Sequence, residues 1–178
     1  MTRPWEKLGD EILARHLVFE VRRSLQRSPR TGVEIPFFLI DTANWVNIVP
    51  ITAAGEVVFV RQWRQGSERV SLELPGGMID PHETDPLQAA VRELREETGH
   101  VAEEWTSLGD NNPNPSNRCH VFLAEGCTLE GDLQQDLGED LEVVKVPADE
   151  VDDLVRRGGI DHAIVLATLA MWRAHRLR

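Results

Sequence analysis

From Ile12 to Leu25 apolar and polar residues alternate loosely, and Glu34–Thr42 is a second extended stretch beyond the turn-forming Ser28-Pro29-Arg30-Thr31-Gly32. A period of two puts successive side chains on opposite faces of a strand, so residues 1–43 are expected to form a β-hairpin or small antiparallel unit. Val46–Ile51 reads as another strand. Thr52-Ala53-Ala54-Gly55 then turns the chain into Glu56–Trp63, whose Val57-Val58-Phe59-Val60 centre is strongly β-prone. Arg69–Leu74 alternates again and stops at Pro75-Gly76-Gly77.

The pattern then changes to that of a helix. Asp85 suits the N-cap, Pro86 the first helical position, and Gln88 forms a capping-box-like pair with Asp85. Leu87, Ala90, Val91, Leu94 and Thr98 make the expected buried stripe, and Gly99 the C-terminal cap. Glu93, Glu96 and Glu97 are offset from that stripe, so they are expected to face outward into a cleft. Strands follow at Glu104–Leu108, Cys119–Glu125 and Leu141–Val146, and helices at Ala148–Arg157 and Asp161–His175. This order implies an α/β fold, an α/β/α sandwich around a mixed β-sheet over 44–178, with the antiparallel unit of 1–43 before it.

Carboxylates at i, i+3 and i+4 share one helical face and repel, each pair costing about 0.2–0.5 kcal/mol in an isolated helix. Glu93, Glu96 and Glu97 therefore call for a positive partner. Carboxylate oxygens suit hard cations, and Mg²⁺ is commonly shared between carboxylates and substrate phosphates, with Mn²⁺ a possible substitute.

The net charge of −11 argues against nucleic acid or an anionic membrane as the main partner. An anionic small substrate stays open, because a bound cation reverses the local field. Cys119 and Cys127 lack zinc-type spacing and read as partly buried free thiols of a reducing cytoplasm. No charged-then-apolar leader opens the chain, and the apolar run Ala163–Trp172 is too short for a membrane span of about 20 residues. A cytoplasmic protein is expected.

Gly77, Glu83, Arg92, Glu93, Leu94, Glu96, Glu97 and Gly99 resemble the Nudix box in type and order. Two departures stand out: eight residues separate Glu83 from Arg92 where the family has seven, and His100 replaces an aliphatic residue. The insertion leaves the spacing of the helical acids intact and puts Glu83 in question. The likeness continues outside the box. Val60-Arg61-Gln62-Trp63-Arg64 before Leu72-Glu73-Leu74-Pro75-Gly76-Gly77 is similar to the ADP-ribose and nucleotide-sugar pyrophosphatases, as are Gly138–Val143 and Gly159–Ala163. Asn112-Pro113-Asn114-Pro115, with Asn117 and His120, is most similar to nucleoside diphosphate sugar hydrolases.

That resemblance implies a Mg²⁺-dependent hydrolase that cleaves the pyrophosphate bond of a nucleoside diphosphate sugar, such as ADP-ribose or GDP-mannose. Glu93, Glu97, Glu96 and the backbone carbonyl of Gly76 would hold metal, with Arg92 fixing the glutamates. Glu139 would be the general base, with Glu96 its rival. Arg61 and Arg64 would contact phosphate or sugar, or simply be ion-paired strand residues. Glu73 would orient substrate or metal-bound water, and Trp45 would stack on a base or serve the core. The resemblance further implies a homodimer in which the N-terminal β unit reaches the partner's site. A different nucleotide substrate and a non-catalytic sensing module are the alternatives.

Overall fold

The computed structural model describes residues 2–114, 116–134 and 140–177. They form two units, Met1–Ala43 with Asn114–Asn117, and Asn44–Pro113 with Arg118–Arg178.

The first unit is a three-stranded antiparallel sheet in the order β1 (Glu6–Arg15), β2 (Phe19–Arg27), β3 (Glu34–Thr42). The single alternating stretch read from Ile12 to Leu25 therefore contains a reversal at residues 16–18, closed by the His16 N–H donating to the Phe19 carbonyl at 2.9 Å. Alternation alone continues through such a tight turn, and of the two expected forms, a hairpin or a small antiparallel unit, the second is the one found, with three strands. The Ser28–Gly32 turn forms as expected, with Gly32 at φ 73° and its N–H on the Ser28 carbonyl at 2.9 Å. Asn114 and Ser116 both donate from their side chains to the Ile40 carbonyl.

The second unit is built on a seven-stranded mixed sheet. Its strands are β4 (Trp45–Thr52), β5 (Glu56–Arg64), β6 (Arg69–Glu73), β7 (His100–Val101), β8 (Glu104–Asn111), β9 (Cys119–Leu129) and β10 (Leu141–Pro147). The order is β10-β5-β4-β9-β7, with β6 against β5 and β8 against β9. Only β4 and β9 run parallel; the other pairings are antiparallel. Both faces of the sheet are covered. Val46 and Ile48 pack with Ala90 and Leu94 of α1 (Pro86–Thr98), whereas Val49, Val57 and Phe59 pack with Val165, Leu169 and Trp172 of α3 (Ala163–Arg176). Opposite faces of one strand thus feed two cores, the condition for an α/β/α sandwich.

Three local expectations change. Val91 is 45% exposed, and the buried arc of α1 instead takes in Ala89 together with Glu93 and Glu97. The two acids lie inward because each has a polar partner there. Asp85 caps α1, but its side chain accepts from the Leu87 N–H at 2.9 Å rather than pairing with Gln88. The helix expected over Ala148–Arg157 shortens to α2 (Val151–Arg156), because residues 147–150 make a turn. The two-residue β7 was too short to leave a periodic pattern.

Cys119 and Cys127 are free and buried, and burial pushes their thiols up to about 12 and about 11. Among the described residues no helix is long and apolar enough to cross a membrane.

Candidate active site

The segment between β6 and α1 is stitched to β4. Ile48 N–H donates to the Pro75 carbonyl at 2.9 Å, Val46 N–H to Gly77 at 2.9 Å, and Ile79 N–H to Asn44 at 2.8 Å. Asn47 adds its side-chain amide, which donates to the Leu74 and Pro75 carbonyls at 3.3 Å each. β4 therefore takes the carbonyls on either side of Gly76. At Gly76, φ is 156°, and a Cβ there would stand 2.3 Å from the Val46 carbonyl oxygen. Only glycine admits both that backbone and that approach.

This loop meets the acidic helix directly. Gly76 N–H donates to Glu97 Oε2 at 2.9 Å. Arg92 is the hub of the remaining acids. Its Nε and Nη2 grip both oxygens of Glu83 at 2.9 and 3.2 Å, and Nη1 reaches Glu93 at 2.8 Å and Glu96 at 3.0 Å. A further bond from Nη2 to the Met78 carbonyl at 3.0 Å fastens the loop to the helix. The hydrogen bonds from Arg92 hold the Glu83 carboxyl below its usual range, and the same bonds raise the guanidinium, opposed by its partial burial. The extra residue between Glu83 and Arg92 thus leaves their contact intact. Asp80 N–H also donates to Glu83 at 2.8 Å, so the insertion is absorbed within the loop.

Arg64 and Glu73 form a bidentate pair at 2.7 and 2.6 Å. Burial pushes the Glu73 carboxyl up, since it is 3% exposed, but the hydrogen bonds and charge of Arg64 outweigh burial and hold it low. His162 Nε2 stands 3.7 Å from the same carboxylate.

Two cavities meet along this loop. One, of about 380 Å³, is lined by Glu93, Glu96, Glu97, Arg92, Asp80 and Gln62 among others. The second, of about 300 Å³, is lined by Trp45, Asn47, Glu73, Cys119, His162 and apolar neighbours. Arg64, Gly76, Gly77 and Met78 line both. The structure therefore brings Glu93, Glu96, Glu97, Arg92, Gly76 and Arg64 to one cleft, and Trp45 and Glu73 to the adjoining one. Arg61 lines neither cavity. It lies one residue out of phase with Gln62 and Arg64 on β5 and pairs with Glu142 at 2.6 Å. Glu139 lies outside the described residues. Gln62 and His162 lie in the stretches Val60–Arg64 and Gly159–Ala163 that carry the resemblance but were given no role of their own, and Asn47, a polar residue amid the apolar ones of β4, was not singled out.

The donor set of the acidic cavity is carboxylate oxygen, the chemistry of a hard divalent cation. Among the described residues no three such side chains converge on one point, because Arg92 draws Glu93 and Glu96 while Gly76 draws Glu97. All three acids nevertheless line one cleft, so the residues fit a metal that competes with Arg92 for Glu96, which is part-exposed.

The NUDIX domain family model matches residues 42–169. An ADP-ribose pyrophosphatase of Bacillus subtilis is 34% identical over 114 residues, a match spanning 62% of this chain and 61% of that relative. An ADP-ribose pyrophosphatase of Mycobacterium tuberculosis is 30% identical over 167 residues, 92% of this chain and 80% of the relative. A crystal structure of an ADP compounds hydrolase superposes with a TM-score of 0.86 at 27% identity, covering 98% of this chain and 95% of that one. Motif, fold and relatives agree, and the chain belongs to the Nudix hydrolases, in the branch that contains the ADP-ribose pyrophosphatases.

Proposed function

We propose that this protein hydrolyses the pyrophosphate bond of a nucleoside diphosphate sugar, of the ADP-ribose type, to a nucleoside monophosphate and a sugar phosphate in a Mg²⁺-dependent reaction. The observation that carries this reading is the pair of cavities sharing Arg64 and the Gly76–Met78 loop, one acidic and one part-apolar. A diphosphate in the acidic cleft leaves one of its end groups beside the second.

Glu93, Glu97, Glu96 and the Gly76 carbonyl are the residues that would hold Mg²⁺. When bound, the metal neutralises phosphate oxygens and lowers the pKa of a coordinated water. The chain's own residues supply position. Arg92 fixes the acids at one end of the cleft, and Arg64, held by Glu73, presents positive charge where the cavities join. Water attacks one phosphorus, the bridging P–O bond breaks, and the base takes the water's proton. We assign that base to Glu139 by resemblance, with Glu96, already in the cleft, as its rival. Positioning and charge stabilisation account for most of the rate expected of such a site.

We further propose a homodimer in the cytoplasm. Phe38, 66% exposed, and Ile40 lie on one face of β3, across from Arg23 and Val21 of β2. An apolar face on a three-stranded sheet supports a protein partner. Light scattering that gives a monomer mass would refute the dimer.

The substrate proposal is tested with ADP-ribose, GDP-mannose, UDP- and ADP-sugars in Mg²⁺, both products being separated by chromatography. A mononucleotide plus a sugar phosphate is expected. Free pyrophosphate from a nucleoside triphosphate, without turnover of any diphosphate sugar, would overturn it.

A further inference from the structure

Asn47 is a polar residue in the middle of β4, 6% exposed, with the apolar Val46 and Ile48 on either side of it in the chain. Its Nδ2 donates to two consecutive carbonyls, Leu74 and Pro75, at 3.3 Å each, and among the described residues no other side chain bonds to either. Its Oδ1 is buried without a partner. Turning the amide over would set that oxygen against both carbonyls, so the observed orientation is the one its surroundings allow. A half-satisfied amide is costly among apolar neighbours. The benefit of this residue therefore lies elsewhere than in packing.

The two carbonyls lead directly to the acidic helix. The pyrrolidine ring fixes φ of Pro75, so the direction of the next peptide plane depends on ψ of that residue alone. One donor shared between the Leu74 and Pro75 carbonyls sets the angle. The Pro75 carbonyl also accepts from the Ile48 N–H at 2.9 Å, and it shares a peptide plane with the Gly76 N–H. That peptide is trans and planar, so holding the carbonyl at one end aims the N–H at the other. The N–H donates to Glu97 Oε2 at 2.9 Å. Asn47 stands against Gly76 itself as well: a Cβ on that glycine would lie 2.9 Å from Asn47 Cα and 3.0 Å from Nδ2. One side chain of β4 thus reaches a carboxylate of α1 through a single peptide plane.

We propose that Asn47 is a positioning residue for divalent-metal binding. By clamping Leu74 and Pro75 it holds the Gly76 N–H on Glu97, and so fixes the orientation in which that carboxylate meets the cation. This rests on the metal-dependent reading above and adds to it a residue outside the Nudix motif. Without the clamp the N–H donor turns away and Glu97 must be ordered by the ion itself, at a cost in affinity.

The test is a Mn²⁺ titration of the substrate-free protein, with the free ion counted by electron paramagnetic resonance. Two variants remove the donor, Asn47→Val filling the space with a side chain suited to a strand and Asn47→Ala leaving it open. In each the dissociation constant is expected to rise about tenfold or more while the number of sites per chain holds, the size of effect seen when a metal ligand loses its support. Val151→Ala, which thins the core where Val151 of α2 is fully buried, is the control. It should lower the melting temperature and leave the constant as it was. Partial misfolding removes sites without changing the constant, so the two effects are read separately. A constant unchanged in both variants, or raised as much in Val151→Ala, would overturn the proposal. Failure of both variants to fold would overturn it too, since Asn47 would then serve the fold alone. No Mn²⁺ bound by the unaltered protein would instead overturn the metal-dependent reading, and this one with it.

Discussion

The Glu93 carboxylate occupies the space in which a side chain at Gly77 would begin: a Cβ there would lie 2.4 Å from Oε1. Loop and helix are in direct contact at the point where the acidic cleft starts. The glycine is needed for that contact, and the neighbouring Gly76 for its own approach to β4.

Gly77→Ala must therefore displace Glu93 or the loop. Turnover is expected to fall about 10–100-fold with a raised Mg²⁺ requirement, the size of effect seen when the support of a metal ligand is removed. Gly66→Ala is the control, since nothing lies within 4 Å of a Cβ there. Mg²⁺ titrations of the initial rate for both variants decide the matter; unchanged activity in Gly77→Ala would contradict the packing.

Arg92→Met removes the one cation that bonds Glu83, Glu93 and Glu96 together. Glu83 is 6% exposed at its side chain, so a shielded carboxylate loses its cationic partner and keeps the Asp80 N–H. A loss of about 3 kcal/mol is expected, the low end for breaking a buried pair because Arg92 is itself 27% exposed. Chemical denaturation without divalent cations measures it, and Mg²⁺ should return part of the loss by binding the folded state alone. Arg92→Lys should recover little, since an ammonium cannot reproduce the fork.

Glu97→Gln keeps an oxygen for the Gly76 N–H yet removes a charge from the cleft. Activity is expected to drop about 100-fold or more with an unchanged melting temperature; near-normal turnover would refute its metal role. Glu139→Gln and Glu96→Gln divide the base assignment between them. The true base is the one whose replacement abolishes the acidic limb of the kcat profile while leaving KM nearly constant.

Acid should unfold the protein partly through Glu73. Its carboxyl titrates below its ordinary value of 4.5 in the folded chain, so the folded state binds that proton more weakly than the unfolded state does. Its stabilisation is complete above about pH 4.5 and disappears as the pH falls through the folded value. Urea midpoints between pH 7 and about pH 3 should therefore decline less steeply in Glu73→Gln than in the unaltered protein. Parallel curves would exclude the contribution.

The acidic helix was legible because its chemistry is local. Asp85, Pro86, Gly99 and the spacing of Glu93, Glu96 and Glu97 each act on neighbours no more than four residues away, and each occupies the helical position its type predicts. The inward turn of Glu93 and Glu97 was not legible, since it depends on Gly76 and Gly77 approaching from a loop. Arg61 and Arg64 are alike in sequence, and strand phase alone directs the second, with Gln62, to the cleft. Asn47 and His162 are 115 positions apart in the chain and meet only through the sheet and the start of α3.

The stitching of residues 75–79 to β4 makes the loop behave as an extra, irregular strand of the central sheet. The β4 backbone amides of Val46 and Ile48 are consequently reporters of the cleft: their hydrogen exchange tracks every opening of the loop. The acidic edge of the cleft is therefore complete only where the middle of the sheet is intact.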